Sequence, residues 1–224
     1  MQQRSASSTT PHSSTIDPQE LAAQEQLDQG TEALAQGDFP KALEHYKHSV
    51  QIKETSIGYY NIGVVQYQLR DLAGSISSFE SSLAHTPAGV KPTLPDPTQP
   101  LPELSPALVI LADTHTNLGA AYILTKPPQP EKALEHLQKA LMINPDDGEV
   151  CYNLAAVLEA TGELDEALVA YERAQKLGIQ RAELNIKNIS AKILGKKREE
   201  AEKAQSSGGS VSASDVGPQQ GGAA

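Results

Sequence analysis

Residues 148–179, GEVCYNLAAVLEATGELDEALVAYERAQKLGI, read as two short helices joined by a turn, and their spacing recurs three times upstream. Here Leu154-Ala155 in the first helix are followed by Ala167, Tyr171 and Ala174 in the second. Gly30, Ala42, Tyr46 and Ser49 keep the same intervals, as do Gly63, Ser75, Phe79, Ser82 and Pro87. A further copy runs through Gly119, Ala133, Leu137, Ala140 and Pro145, with about two extra residues between its helices. Self-similarity at such a period predicts a stack of supersecondary units. Two helices approach closely only where their facing side chains are small, so Gly or Ala of the first is expected to face Ala or Ser of the second. The bulky residue of the second helix is expected to fill the space between neighbouring hairpins. One hairpin cannot bury its apolar stripe alone, so the units stack and need a capping helix at the open end.

The pattern resembles the tetratricopeptide repeat family, whose ~34-residue unit carries W-x2-L-G-x2-Y, then A-x3-F, then P. The resemblance implies an all-α solenoid of four hairpins at about 23–55, 56–89, 112–147 and 148–181, within a domain spanning 17–200. Departures are Gln26, Tyr59, His115 and Cys151 where the family often has Trp, Arg70 and Lys126 where its turn usually has Gly, and Glu54 and Ile179 in place of the closing Pro.

A formal charge of −10 argues against a phosphate backbone as partner, since non-specific nucleic-acid binding needs a basic face. The single cysteine, Cys151, excludes an intrachain disulfide and a cysteine-based zinc site, and its apolar register predicts a buried free thiol. No run of ~18 apolar residues is found, so no membrane insertion is expected. Residues 1–16 carry no hydrophobic signal core and read as a polar tail, with only a faint likeness to an organelle transit peptide. The expected location is the cytoplasm, with the mitochondrion as alternative.

Along the chain, Asp17-Pro18-Gln19-Glu20 reads as a capping box opening the first helix. His45 and His48 lie three apart on its partner, at positions expected to face solvent and with no third ligand nearby, so no metal is assigned. The serines at 75, 77, 78, 81 and 82 read as small residues at close helix crossings. Seven prolines between Pro87 and Pro106 mark an insertion over about 88–105, and Ser105-Pro106 reads as the cap and first turn of the next helix. KPPQPEK, 126–132, lengthens the third hairpin's turn. Beyond Ile179, the spacing of Ala182, Ile186, Ile189 and Ile193 predicts the capping helix over about 180–200, and 206–224 reads as a Gly/Ser/Gln-rich tail.

Members of the family line a concave channel with their first helices and hold extended peptides there. Carried over, the peptide-binding residues are Asp28, Tyr60, Asn61, Val64, Tyr67, Asp113, Asn117, Glu149, Tyr152, Asn153 and Glu159. No Lys, Arg or His is among them. The clamp of Lys, Asn and Arg that holds the acidic C-terminal tails of chaperones is therefore lacking, with Asn61 alone matching it, and Asp113 would repel such a carboxylate. Asn61, Asn117 and Asn153 instead resemble the asparagine ladder of peptide-binding members. Each amide offers an acceptor and two donors to an extended backbone. The opposing possibility is that these amides bond to a neighbouring repeat. The resulting expectation is an adaptor that binds a neutral or basic linear segment of a protein partner, without cofactor. The alternative is a regulatory scaffold subunit, suggested by the likeness of GDFPKALEHY and YYNIGVVQY to the tetratricopeptide domain of NADPH-oxidase activators, whose SH3 and PB1 modules are missing here. No nucleophile–base pair, metal-ligand cluster or phosphate loop points to an enzyme.

Overall fold

A computed structural model describes residues 17–92 and 103–208. The expected tail 1–16, most of the tail 206–224 and residues 93–102 of the Pro-rich insertion lie outside the described residues. The helices are α1 (Pro18–Ala35), α2 (Phe39–Ile52), α3 (Ser56–Gln68), α4 (Leu72–Ala84), α5 (Pro106–Leu124), α6 (Pro130–Ile143), α7 (Gly148–Thr161), α8 (Leu164–Lys176) and α9 (Ala182–Gly208). There is no strand among the described residues. The chain divides into two compact units, Met1–Pro145 and Asp146–Ala224. The first holds the hairpins α1–α2, α3–α4 and α5–α6, with α2 on α3, α4 on α5 and α3 on α5; in the second, α9 packs on the α8 side of the hairpin α7–α8.

Helix ends follow local chemistry. Asp17, Asp38, Asp71 and Asp147 each accept a backbone N–H of the first turn, at 3.0, 3.1, 2.9 and 3.0 Å, and Thr55 and Ser105 do the same through hydroxyls. The first helix of three hairpins ends on a left-handed residue: Gly37 (φ 77°), Arg70 (φ 64°) and Gly162 (φ 90°). In each, the next N–H reaches back to close the last turn, as Asp71 N does to Gln66 O at 2.9 Å. Glycine holds this conformation freely, whereas Arg70 does so at a cost of about 1 kcal/mol.

The hairpins close on the small residues. A Cβ placed on Gly30 would lie 2.6 Å from the Tyr46 ring, one on Gly63 2.7 Å from Phe79, and one on Gly119 2.7 Å from Leu137. The bulky residue thus lies across the glycine of its own hairpin, and Tyr46 also clusters with Ile62 and Val65 of the next hairpin, as expected. Ala42, Ser75, Ala133 and Ala167 are fully buried. Buried serines add hydrogen bonds between helices: Ser75 Oγ to Gly63 O (2.9 Å), Ser49 Oγ to Ala23 O (2.8 Å) and Ser82 Oγ to Ser56 O (2.8 Å). Each satisfies a group that would otherwise cost about 1–3 kcal/mol to bury.

Four expectations need correction. Glu20 pairs with Lys53 across the hairpin at 3.4 Å, and Asp17 caps Gln19 N, so the reciprocal capping box gives way to an ion pair. His45 is half-buried and bonds Gln26 Oε1 at 2.9 Å, because Gln26 stands where the family places a Trp and offers an acceptor instead. Helix α5 is long and apolar enough, by length and composition, to cross a membrane; within the first unit it packs between α4 and α6 and buries Leu118, Ala121 and Tyr122. The capping helix runs to Gly208, past its expected end. At the vacant closing-proline position, Glu54 accepts the Tyr59 hydroxyl at 2.6 Å and pairs with His85 at 3.4 Å.

Candidate functional site

In the first unit, the expected binding residues lie on α1, α3 and α5. Tyr60 packs on the α3–α4 hairpin, its ring 6.0 Å from the buried Phe79 ring, and its hydroxyl meets α5. There the Asn117 amide donates to Tyr60 Oη at 3.5 Å. Burial, and then the charge of Asp113, raise the Tyr60 pKa, with the Asn117 bond acting the other way, so the phenol stays protonated. Tyr60, Asp113 and Asn117 are therefore brought together by α3 and α5. Asn117 spends one donor on Tyr60 and keeps its carbonyl and second N–H for another partner. Asn61, Val64 and Tyr67 are half-buried on α3, and Asn61 makes no side-chain hydrogen bond among the described residues. Asp28 is exposed on α1 and accepts Gln24 Nε2 at 2.8 Å.

The second unit differs, because Arg181, just before α9, and Lys192 and Asn185 on α9 supply two cations and an amide to α7. Arg181 holds both carboxylate oxygens of Glu149, one at 3.0 Å, while its guanidinium lies 4.2 Å from the centre of the Tyr152 ring. Lys192 donates to Glu159 at 2.6 Å, and that bond first, then the one from the Tyr171 hydroxyl at 2.9 Å, hold Glu159 below the usual carboxylate range. Asn185 bridges the two tyrosines, accepting from Tyr152 and donating to Tyr171, both at 3.2 Å. Burial and the Glu159 bond push the Tyr171 phenol well up. Asn153 remains half-buried with no side-chain hydrogen bond among the described residues. Glu149 and Glu159 are thus neutralised within their own unit. Arg181, Asn185 and Lys192 were missed by reading the channel positions of the hairpins alone; their roughly helical spacing opposite two acids was the available signal.

A third cluster lies away from the expected residues. His115 Nδ1 and His136 Nδ1 are 2.9 Å apart, so one ring donates and the other accepts. Burial, and then repulsion by His136, lower His115 to about 4, while burial foremost also lowers His136. The His136 ring stacks on Tyr122, whose hydroxyl donates to Glu80 at 2.9 Å. No group of three metal-ligating side chains is found among the described residues.

Tetratricopeptide repeat models match residues 27–89 and 129–184, over the hairpins just described. The chain is a tetratricopeptide repeat protein. Its all-α hairpin architecture is that of the family's solenoids, and the tetratricopeptide fold carries protein–protein interaction or scaffold roles. The chain is similar to the Protein CTR9 homolog of Arabidopsis thaliana, at 29% identity over 150 residues, covering 64% of this chain and 11% of that protein. It therefore spans about a tenth of the length of that curated relative. Among solved structures it is similar to the APC/C hetero-tetramer Cut9-Hcn1 (TM-score 0.61, 19% identity, 75% of this chain and 30% of that one). YrrB, described as a tetratricopeptide protein with an unusual peptide-binding site, gives a TM-score of 0.57 at 20% identity over 78% of this chain and 83% of its own. MamA gives 0.58 at 20% identity over 87% and 98%. These likenesses show the shared fold.

Proposed function

We propose that this protein is an interaction adaptor whose α3–α5 face in the first unit holds an extended, neutral or basic segment of a partner protein. The observation that carries the reading is Asn61, half-buried and without a side-chain partner among the described residues, on the helix whose Tyr60 bonds Asn117 beside Asp113. Two amides on adjacent helices can each offer a donor and an acceptor to a main chain whatever its side chains. Tyr60 and Tyr67 add amphipathic surface at low conformational cost. Asp113 favours Lys or Arg in the ligand and disfavours the acidic C-terminal tails of chaperones. The peptide-binding site named for YrrB supports the mode of use, through the fold alone. In the second unit Asn153 offers the same chemistry, but Arg181 and Lys192 remove the acidic attraction expected there.

The test is a charge exchange. Against one Lys-bearing peptide selected on the wild-type protein, Asp113→Asn should weaken binding by severalfold and flatten its salt dependence. Unchanged affinity and unchanged salt dependence would remove Asp113 from the site and the basic preference with it.

A further inference from the structure

We propose that the open groove between α4 and the α5–α6 turn is a separate docking site for an acidic segment of a partner protein carrying apolar side chains. The groove has a volume of about 1090 Å³, and Leu72, Ala73, Ile76 and Leu124 supply its apolar surface beside the buried Tyr122. Arg70, Lys126 and Lys132 stand around it. Among the described residues none of these three cations is in ion-pair contact with a carboxylate. Lys132 instead sits over the Tyr122 ring, 4.9 Å from its centre. The acid in the lining, Glu80, already accepts the Tyr122 hydroxyl at 2.9 Å. Three cations thus face one engaged acid, in a chain of formal charge −10. Such a local excess selects an anionic ligand, and the apolar floor requires that the ligand bring side chains to bury.

The two cations from the turns sit where the repeat ordinarily has glycine. Gly37 and Gly162 hold the left-handed turn position with open space around them, and Arg70 takes the same conformation at φ 64°. Fold stability would be served by glycine there, so the arginine is explained by what it presents to the groove. Lys126, in the lengthened third turn, reaches the same groove. That turn is held in place. Gln129 N donates to Tyr122 O at 3.0 Å, and Thr125 Oγ1 lies 2.7 Å from Tyr122 O and 2.9 Å from Pro127 O. A preformed groove binds without first having to be ordered.

The probe is the fluorescein-labelled peptide Glu-Asp-Phe-Asp-Leu-Glu, compared with its neutral counterpart Gln-Asn-Phe-Asn-Leu-Gln, titrated against the full chain. The acidic peptide should bind at least tenfold more tightly than the neutral one and weaken severalfold between about 0.05 and about 0.3 M salt. The R70G/K126Q/K132Q variant should lose at least tenfold, while R70G alone should weaken binding without lowering the melting temperature, since glycine suits the turn. N61A/N117A should leave this binding unchanged, which separates the groove from the α3–α5 face. Equal affinity for the two peptides, or an acidic peptide held as tightly by the triple variant, would overturn the proposal. So would a wild-type dimer in sedimentation that the triple variant dissolves, because the occupant would then be a second copy.

Discussion

Gly63→Ala probes the close approach of α3 to the buried Phe79 ring in the second hairpin. The added Cβ would meet Phe79 Cδ1 and Cε1 at 2.7 Å and Cγ at 3.1 Å, where ordinary carbon contacts lie near 3.5–4.0 Å. Phe79 is fully buried, so its ring has no solvent to retreat into and α4 must shift. Overpacking of this kind costs about 1–3 kcal/mol. Alanine also gains about 0.8–1 kcal/mol of helix propensity over glycine, which partly hides the clash. Gly195→Ala supplies the reference, because Gly195 lies within α9 with open space where a Cβ would go and so carries the propensity gain alone. The expected difference between the two substitutions is therefore about 1–3 kcal/mol, read by urea titration of circular dichroism. In a Phe79→Ala background the sign should reverse, with Gly63→Ala stabilising by up to about 1 kcal/mol, as the methyl fills part of the vacated space. If Gly63→Ala stabilises the otherwise unaltered protein as much as Gly195→Ala does, the hairpin register argued from the Gly–Ser–Phe spacing is wrong.

Ala167→Glu should unfold the α7–α8 hairpin by burying an unpaired carboxylate at a fully enclosed site, seen as lost helical signal and new proteolytic cuts within 148–176. Because burial holds His115 down at about 4 in the folded chain, against an ordinary value of about 6.5, the unfolded chain binds more protons between those values and stability falls as the pH falls through that window. The loss from about pH 7 to about pH 5 should be about 2 kcal/mol, and His115→Leu should flatten it; an unchanged slope would contradict the buried neutral pair. Tyr171→Phe removes the hydroxyl that joins Glu159 and Asn185 and should cost about 1–2 kcal/mol in denaturant titration, with no effect expected on the first unit.

What could be read in the amino-acid order was what depends on neighbours in the chain. The intervals from Gly30 to Tyr46 and from Gly63 to Phe79 encode a helix, a turn and a second helix, and the caps at Asp17 and Ser105 are local hydrogen bonds. Contacts between distant segments were less legible. Glu20 finds Lys53, and His115 finds His136, because hairpin closure brings them together, and neither pair has a spacing rule of its own. The Arg181–Glu149 and Lys192–Glu159 pairs depend on the angle at which α9 returns over α7, which periodicity does not specify. For the expected binding residues, the helix bearing each was legible. Which acids would be neutralised, and which amide would spend a donor on Tyr60, was not.

The most direct test of the adaptor reading is the affinity of library-selected peptides for the wild-type chain and for Asn61→Ala/Asn117→Ala. Each amide–backbone bond is worth about 0.5–1.5 kcal/mol net, so the double variant should lose roughly five- to a hundred-fold toward neutral and basic peptides. Its helical signal and melting temperature should stay close to wild type, since both side chains are only half-buried. Peptides that bind the folded double variant as tightly as the wild type would contradict the account, because no part of their affinity would then come from the amides on α3 and α5.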